Sequence, residues 1–118
     1  MNIMFSDSIT DDIRSKYTIL QLDTFYFVDI DQKRAAYCLI ETVPISEMVG
    51  IDQRIELHNN LVRNYGLKNW NYCIDAVDHL RGCWNGELDS FYDSILERIT
   101  VLRESDPGEE WTGVIVRA

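Results

Sequence analysis

Between Leu88 and Leu102 the chain carries its most restrictive pattern: Leu88, Phe91, Tyr92, Ile95, Ile99 and Leu102 recur at spacings of three and four residues. At about 100° per residue these positions close into one apolar stripe, which only a helix packed against a core can use. The stripe also sets what faces outward. Asp89, Asp93 and Glu97 lie four apart, so they stack on the side away from the core. No Lys or Arg stands three or four positions from any of them, so their mutual repulsion, a few tenths of a kcal/mol per pair, has no local offset. Taken alone, such a stripe is the solvated face of an ordinary helix.

A second acidic face just upstream changes that reading. Trp70, Cys73, Ile74, Val77, Leu80 and Trp84 form a buried helical arc that Asn69 can cap, while Asn71, Asp75 and Asp78 share its outer flank and Tyr72 stands beside them. Glu87 falls at the glycine-loosened junction between the two helices. From position 69 to 110 there are ten acidic side chains against three basic ones (Arg81, Arg98 and Arg103), which is most of the whole chain's formal charge of −9. Charge gathered in one part of a sequence favours a directional docking surface over general solubility. It repels nucleic acid and anionic lipid, and attracts a basic protein over roughly 8–10 Å at physiological salt.

The remainder supplies a sheet. Thr18 to Ile30 (TILQLDTFYFVDI) is rich in β-branched and aromatic residues and reads as one bent strand or two short ones, and Asp31, Gln32, Lys33 and Arg34 read as a polar turn. Ala35 to Val43 returns as the second arm of a hairpin, stopped by Pro44. Before it, Ile9, Ile13 and Tyr17 fit a short helix capped by Ser6 or Asp7. After it, ISEMVG reads as a loose turn, and Ile51, Ile55, His58, Leu61, Val62 and Tyr65 trace a helix that Gly66 is placed to end. TGVIV near the end reads as a last strand joining the hairpin. The expected order is α-β-β-α-α-α-β in a single acidic α+β domain over residues 1–118, with a small antiparallel-containing sheet of three to four strands and helices packed on one face.

Reactive constellations are sparse. There is no HExxH, no glycine-rich phosphate loop and no supportable Ser-His-Asp order. Cys73, His79 and Cys83, at steps of six and four, do not share one side of a helix, which argues against a zinc site. The carboxylates sit on convex helix faces rather than in a pocket, so neither a catalytic residue, a cofactor nor a metal is expected. Three cysteines without a CxxC suit reduced, packed thiols. The start MNIMF is too soon interrupted to be a signal peptide, and no apolar run spans a bilayer, so a cytoplasmic protein is expected, monomeric or weakly dimeric.

The segment LHNNLVRNYGLKNWNYCIDAVDHLRGCW, about a quarter of the chain, resembles the core of the barstar family, small acidic inhibitors of bacterial ribonucleases. Leu67 and Trp70 match the family's leucine, short loop and aromatic junction. Ile74, Asp75, Ala76 and Val77 match its hydrophobic-Asp-Ala-hydrophobic run, and VIV resembles its final strand. Trp70, Asn71 and Tyr72 stand where the family has tyrosine, glycine and asparagine, and Asp78 with His79 replaces its tryptophan-aspartate pair. The resemblance implies a toxin-immunity protein whose partner is a basic nuclease domain, and it carries over Asp75, with Asp78 as a shifted candidate; the acidic faces add Glu87, Asp89, Asp93 and Glu97 to the contact, with Tyr72 among those carboxylates as an aromatic anchor. The competing reading is an acidic adaptor or DNA mimic that inhibits a host nucleic-acid enzyme.

Overall fold

The computed structural model describes residues 2–41 and 45–117, apart from the side chains of Ser46 and Glu47. Its elements are β1 (Ile3–Phe5), α1 (Asp11–Lys16), β2 (Thr18–Phe27), β3 (Gln32–Ile40), α2 (Ile45–Met48), α3 (Ile51–Gly66), α4 (Trp70–Leu80), α5 (Asp89–Glu104) and β4 (Ile115–Arg117). The sheet order is β1-β3-β2-β4, with β3 antiparallel to β1 and β2, and β4 parallel to β2. This is an α+β fold with a four-stranded mixed sheet, and the long helices α3, α4 and α5 pack on one face.

Strand alternation decides which side chains meet those helices. Leu20 opposite Cys38 points inward, as do Ala36 and Ile40, and all four are buried. An irregularity between Gln21 and Thr24 shifts the register of β2, after which Phe25 and Phe27 share the inward face with Phe5. Leu61, Cys73, Val77, Leu80, Trp84, Leu88, Tyr92, Ile95 and Ile99 complete the core. On the opposite face α1 lies over the sheet, where Ile13 and Tyr17 share a hollow of about 250 Å³ with Met4 and Leu39.

Several local expectations are corrected. A strand at Ile3–Phe5 precedes the first helix, and that helix is capped by Thr10, whose hydroxyl accepts from the Ile13 N–H at 3.3 Å, rather than by Ser6 or Asp7. The hairpin turns at Val28–Asp31, with Asp31 in the left-handed region at φ 50°, so Lys33 and Arg34 belong to the returning strand. That strand ends at Ile40, and the expected stop at Pro44 lies outside the described residues. Asn69 makes no side-chain cap; its amide donates instead to Asn64 Oδ1 at 2.7 Å. Gly66 stays helical, and Lys68 takes the left-handed turn at φ 63°. The reason for a glycine at 66 is proximity: a Cβ there would stand 3.1 Å from the Thr112 carbonyl oxygen.

The tail is held by aromatic packing. Trp111 meets Tyr65 and Trp70 edge-on, with centroids 5.2 and 5.6 Å apart, and Lys68 pairs with Asp106 at 3.0 Å. Gly113, at φ 84°, lets the chain pass the Tyr65 ring, which a Cβ would approach to 3.2 Å. Gly113→Ala combines a left-handed backbone penalty of about 1–2 kcal/mol with that clash. The expected result is a melting temperature lower by roughly 5 °C, read by circular dichroism.

Candidate docking surface

Two cross-links set how α4 and α5 lie together. Arg81, just past the end of α4, pairs with Asp93 near the start of α5, and Arg103 near the end of α5 donates to Asn71 Oδ1 at 2.7 Å near the start of α4. The two helices are therefore antiparallel. At a rise of 1.5 Å per residue, Asp78 comes level with Leu96 and Glu97, and Asp75 with Ile99 and Thr100. Asp75, Asp78, Asp93 and Glu97 are all exposed. Between the two arginine pins, a strip roughly 15 Å long thus carries Asp75, Asp78 and Glu97. Among the described residues no ion pair reaches any of these three.

The other candidates are placed differently. Asp89 is half-buried, and its carboxylate accepts from the Gly82 N–H at 2.9 Å, tying the α4–α5 connection instead of facing a partner. Asp93 is exposed but engaged by Arg81. The expected ladder of three unopposed carboxylates on α5 is therefore reduced to Glu97. Glu87 is exposed in the connection, two residues before α5. Its negative charge adds to burial in raising the Cys38 thiol to about 11, which places it toward β3 and away from the strip.

Tyr72 is 38 % exposed, and its surroundings are cationic rather than acidic. It lines a cleft of about 320 Å³ with Lys68, Asn69, Trp70, Asn71 and Arg103. An aromatic anchor ringed by carboxylates, as the sequence suggested, is not what the fold builds there. A partner reaching Tyr72 from the acidic strip would have to pass the Arg103 guanidinium.

Beneath the surface a hydrogen-bonded chain joins all the layers. His58 on α3 is fully buried, with Nε2 2.6 Å from the Gln21 carbonyl of β2 and Nδ1 3.0 Å from the Tyr92 hydroxyl of α5. A carbonyl can only accept, so Nε2 carries the proton and Nδ1 accepts from Tyr92. The Tyr92 oxygen in turn accepts from Trp84 Nε1–H at 3.0 Å. Every polar atom of the chain is used. Burial without a neighbouring carboxylate lowers the His58 pKa to about 4, and burial raises the Tyr92 hydroxyl far above its usual value.

A second ion pair is partly buried. Arg98 of α5 donates to both Asp23 oxygens, at 2.7 and 3.0 Å, which fastens α5 to the shifted part of β2. Sequence spacing could not pair residues 75 positions apart. Cys38 and Cys73 are buried and Cys83 half-buried, and none of them forms a disulfide. Among the described residues no group of three His, Cys, Asp or Glu side chains is placed to hold a metal, and no helix is long and apolar enough to cross a membrane.

The geometry thus offers a row of exposed carboxylates on two antiparallel helices, backed by the hydrogen-bonded His58–Tyr92–Trp84 chain. No protein-family model matches the chain, and neither a curated protein nor a solved structure is significantly similar to it.

Proposed function

We propose that the protein is an immunity protein or antitoxin that binds a basic nuclease toxin in the cytoplasm and blocks its active site, without catalysis of its own. The observation that carries this reading is the strip of Asp75, Asp78 and Glu97 on the α4–α5 ridge, three exposed carboxylates on two neighbouring helices that no ion pair among the described residues reaches. A nuclease holds the phosphates of its substrate with clustered Lys and Arg. Carboxylates fixed on a rigid ridge can take the place of those phosphates, and the excess negative charge of residues 69–110 speeds encounter with such a surface. Arg81 fits the same scheme as a partner of Asp93 that is displaced when a toxin cation arrives.

The test is a combined Asp75→Lys, Asp78→Lys and Glu97→Lys variant against the wild type. The neighbouring gene is read for a basic nuclease domain, whose absence counts against the reading, and each protein is immobilised and offered that domain at low and at high salt. The wild type is expected to bind and to suppress cleavage. The variant should associate about 10- to 100-fold more slowly at low salt, with the gap closing as salt rises. All three positions are exposed, so the fold should be retained. Equal association rates at low salt would remove the strip from the function.

A further inference from the structure

We propose that the open edge of β1 is a self-association surface, on which two copies of this chain pair strand to strand and join their sheets. β1 lies at the outside of the sheet, and among the described residues no strand pairs with its outer side. The Leu39 N–H donates to the Asn2 carbonyl at 2.8 Å, and Met4 stands opposite Tyr37. Antiparallel alternation then turns the Ile3 and Phe5 N–H groups outward, unpaired by β3.

Natural edge strands are guarded by being short, by a charge, a proline or a bulge; β1 is short, but Ile3, Met4 and Phe5 carry none of the other three. Ile3 is instead 55 % exposed on the apolar side. It borders a groove of about 390 Å³ whose walls include Phe5, Leu22, Phe25 and Phe91 and which the helices leave uncovered. A neighbouring strand at this edge would extend those apolar walls and shield Ile3.

Charge selects the occupant. The charged side chains beside the groove and strand are Arg34, Arg98 and Arg117 against Asp7, Asp23, Glu41 and Glu87, close to balance. Residues 69–110, in contrast, hold most of the chain's excess negative charge. Two molecules of this protein therefore repel each other ridge to ridge and meet least repulsion at the β1 edge. A strongly basic partner is drawn more to the acidic helices than to this nearly balanced edge. An edge facing its own copy about a two-fold axis is also self-complementary by construction. The dimer leaves the acidic ridge free and does not depend on the function proposed above.

A three-residue strand makes a small interface, so the association is expected to be weak, with dimer present at about 100 µM and largely dissociated at 1 µM. Sedimentation equilibrium across that range reads the mass, and hydrogen exchange reads the strand. The expected result is a concentration-dependent dimer in which the Ile3 and Phe5 amides become protected as the dimer forms. Ile3→Lys, at a half-exposed position, should keep the circular dichroism of the wild type and remain monomeric at the higher concentration. A wild type that stays monomeric there overturns the proposal. So does a dimer that survives Ile3→Lys with the Ile3 and Phe5 amides still exchanging freely.

Discussion

Taking the protein from pH 6.5 to pH 4 is expected to remove about 3 kcal/mol of folding stability through one residue, His58. In the unfolded chain its imidazole takes up a proton near 6.5, whereas in the fold burial holds that step down to about 4. Between those values the unfolded state binds more protons, so stability rises with pH across the window. It is fully present above 6.5, is lost progressively as pH falls, and changes no further below 4. The geometry explains the direction. Protonating Nδ1 replaces an acceptor with a donor, so the Tyr92 hydroxyl, already accepting from Trp84, loses the acceptor for its own hydrogen. The groups around the ring are Tyr92, Phe91 and the Gln21 carbonyl, and none carries a negative charge.

Other titrations do not imitate this slope. Asp106, held below its ordinary range by the Gly108 N–H and by Lys68, contributes stability that is present above 3.8 and lost only beneath it. Urea midpoints at pH 7 and pH 4.5 for the wild type and for His58→Gln separate these contributions. The variant should be less stable at pH 7, since an amide cannot span both partners, and nearly flat between the two pH values. An equal slope in both proteins would sink the assignment.

The same residue shows what could and could not be read from the order of amino acids. The apolar periodicity of α3 placed His58 in the middle of a buried arc, because periodicity reports which face is inward. Its partners lie 37 and 34 positions away, and nothing local encodes them. The acidic ridge divides in the same manner. Spacing put Asp89, Asp93 and Glu97 on one outer face, and α5 exposes Asp93 and Glu97 but leaves Asp89 half-buried. Whether each is free depended on Arg81 and Gly82, which the connection between α4 and α5 brings back from 12 and 7 positions upstream. Tyr72 was read as an anchor from its acidic neighbours in sequence, yet its neighbours in space include Lys68 and Arg103 because the loop before α4 and the last turn of α5 converge there. A sheet of three to four strands was expected from alternation and β-branched composition. The first strand was missed because three residues are too few to show a period.

Trp84 illustrates a feature that propensity argues against, and its replacement should have the largest single effect in the protein. The helical arc that seemed to continue from Leu80 to Trp84 stops at Leu80. Trp84 lies in a short 3-10 turn with φ 57°, followed by Asn85 also at φ 57°. A bulky side chain in the left-handed region costs about 1–2 kcal/mol. What sustains it is burial, with 1 % of the residue exposed, together with the indole N–H donated to Tyr92. Trp84→Ala empties the site of the largest fully buried side chain and should cost about 3–5 kcal/mol. Trp84→Gly empties the same site but also releases the backbone strain, so it should be about 1 kcal/mol less destabilised than the alanine variant. That ordering reverses the usual preference for alanine over glycine. Urea unfolding of both variants at neutral pH measures it, and a glycine variant clearly weaker than the alanine one would mean that position 84 carries no left-handed strain.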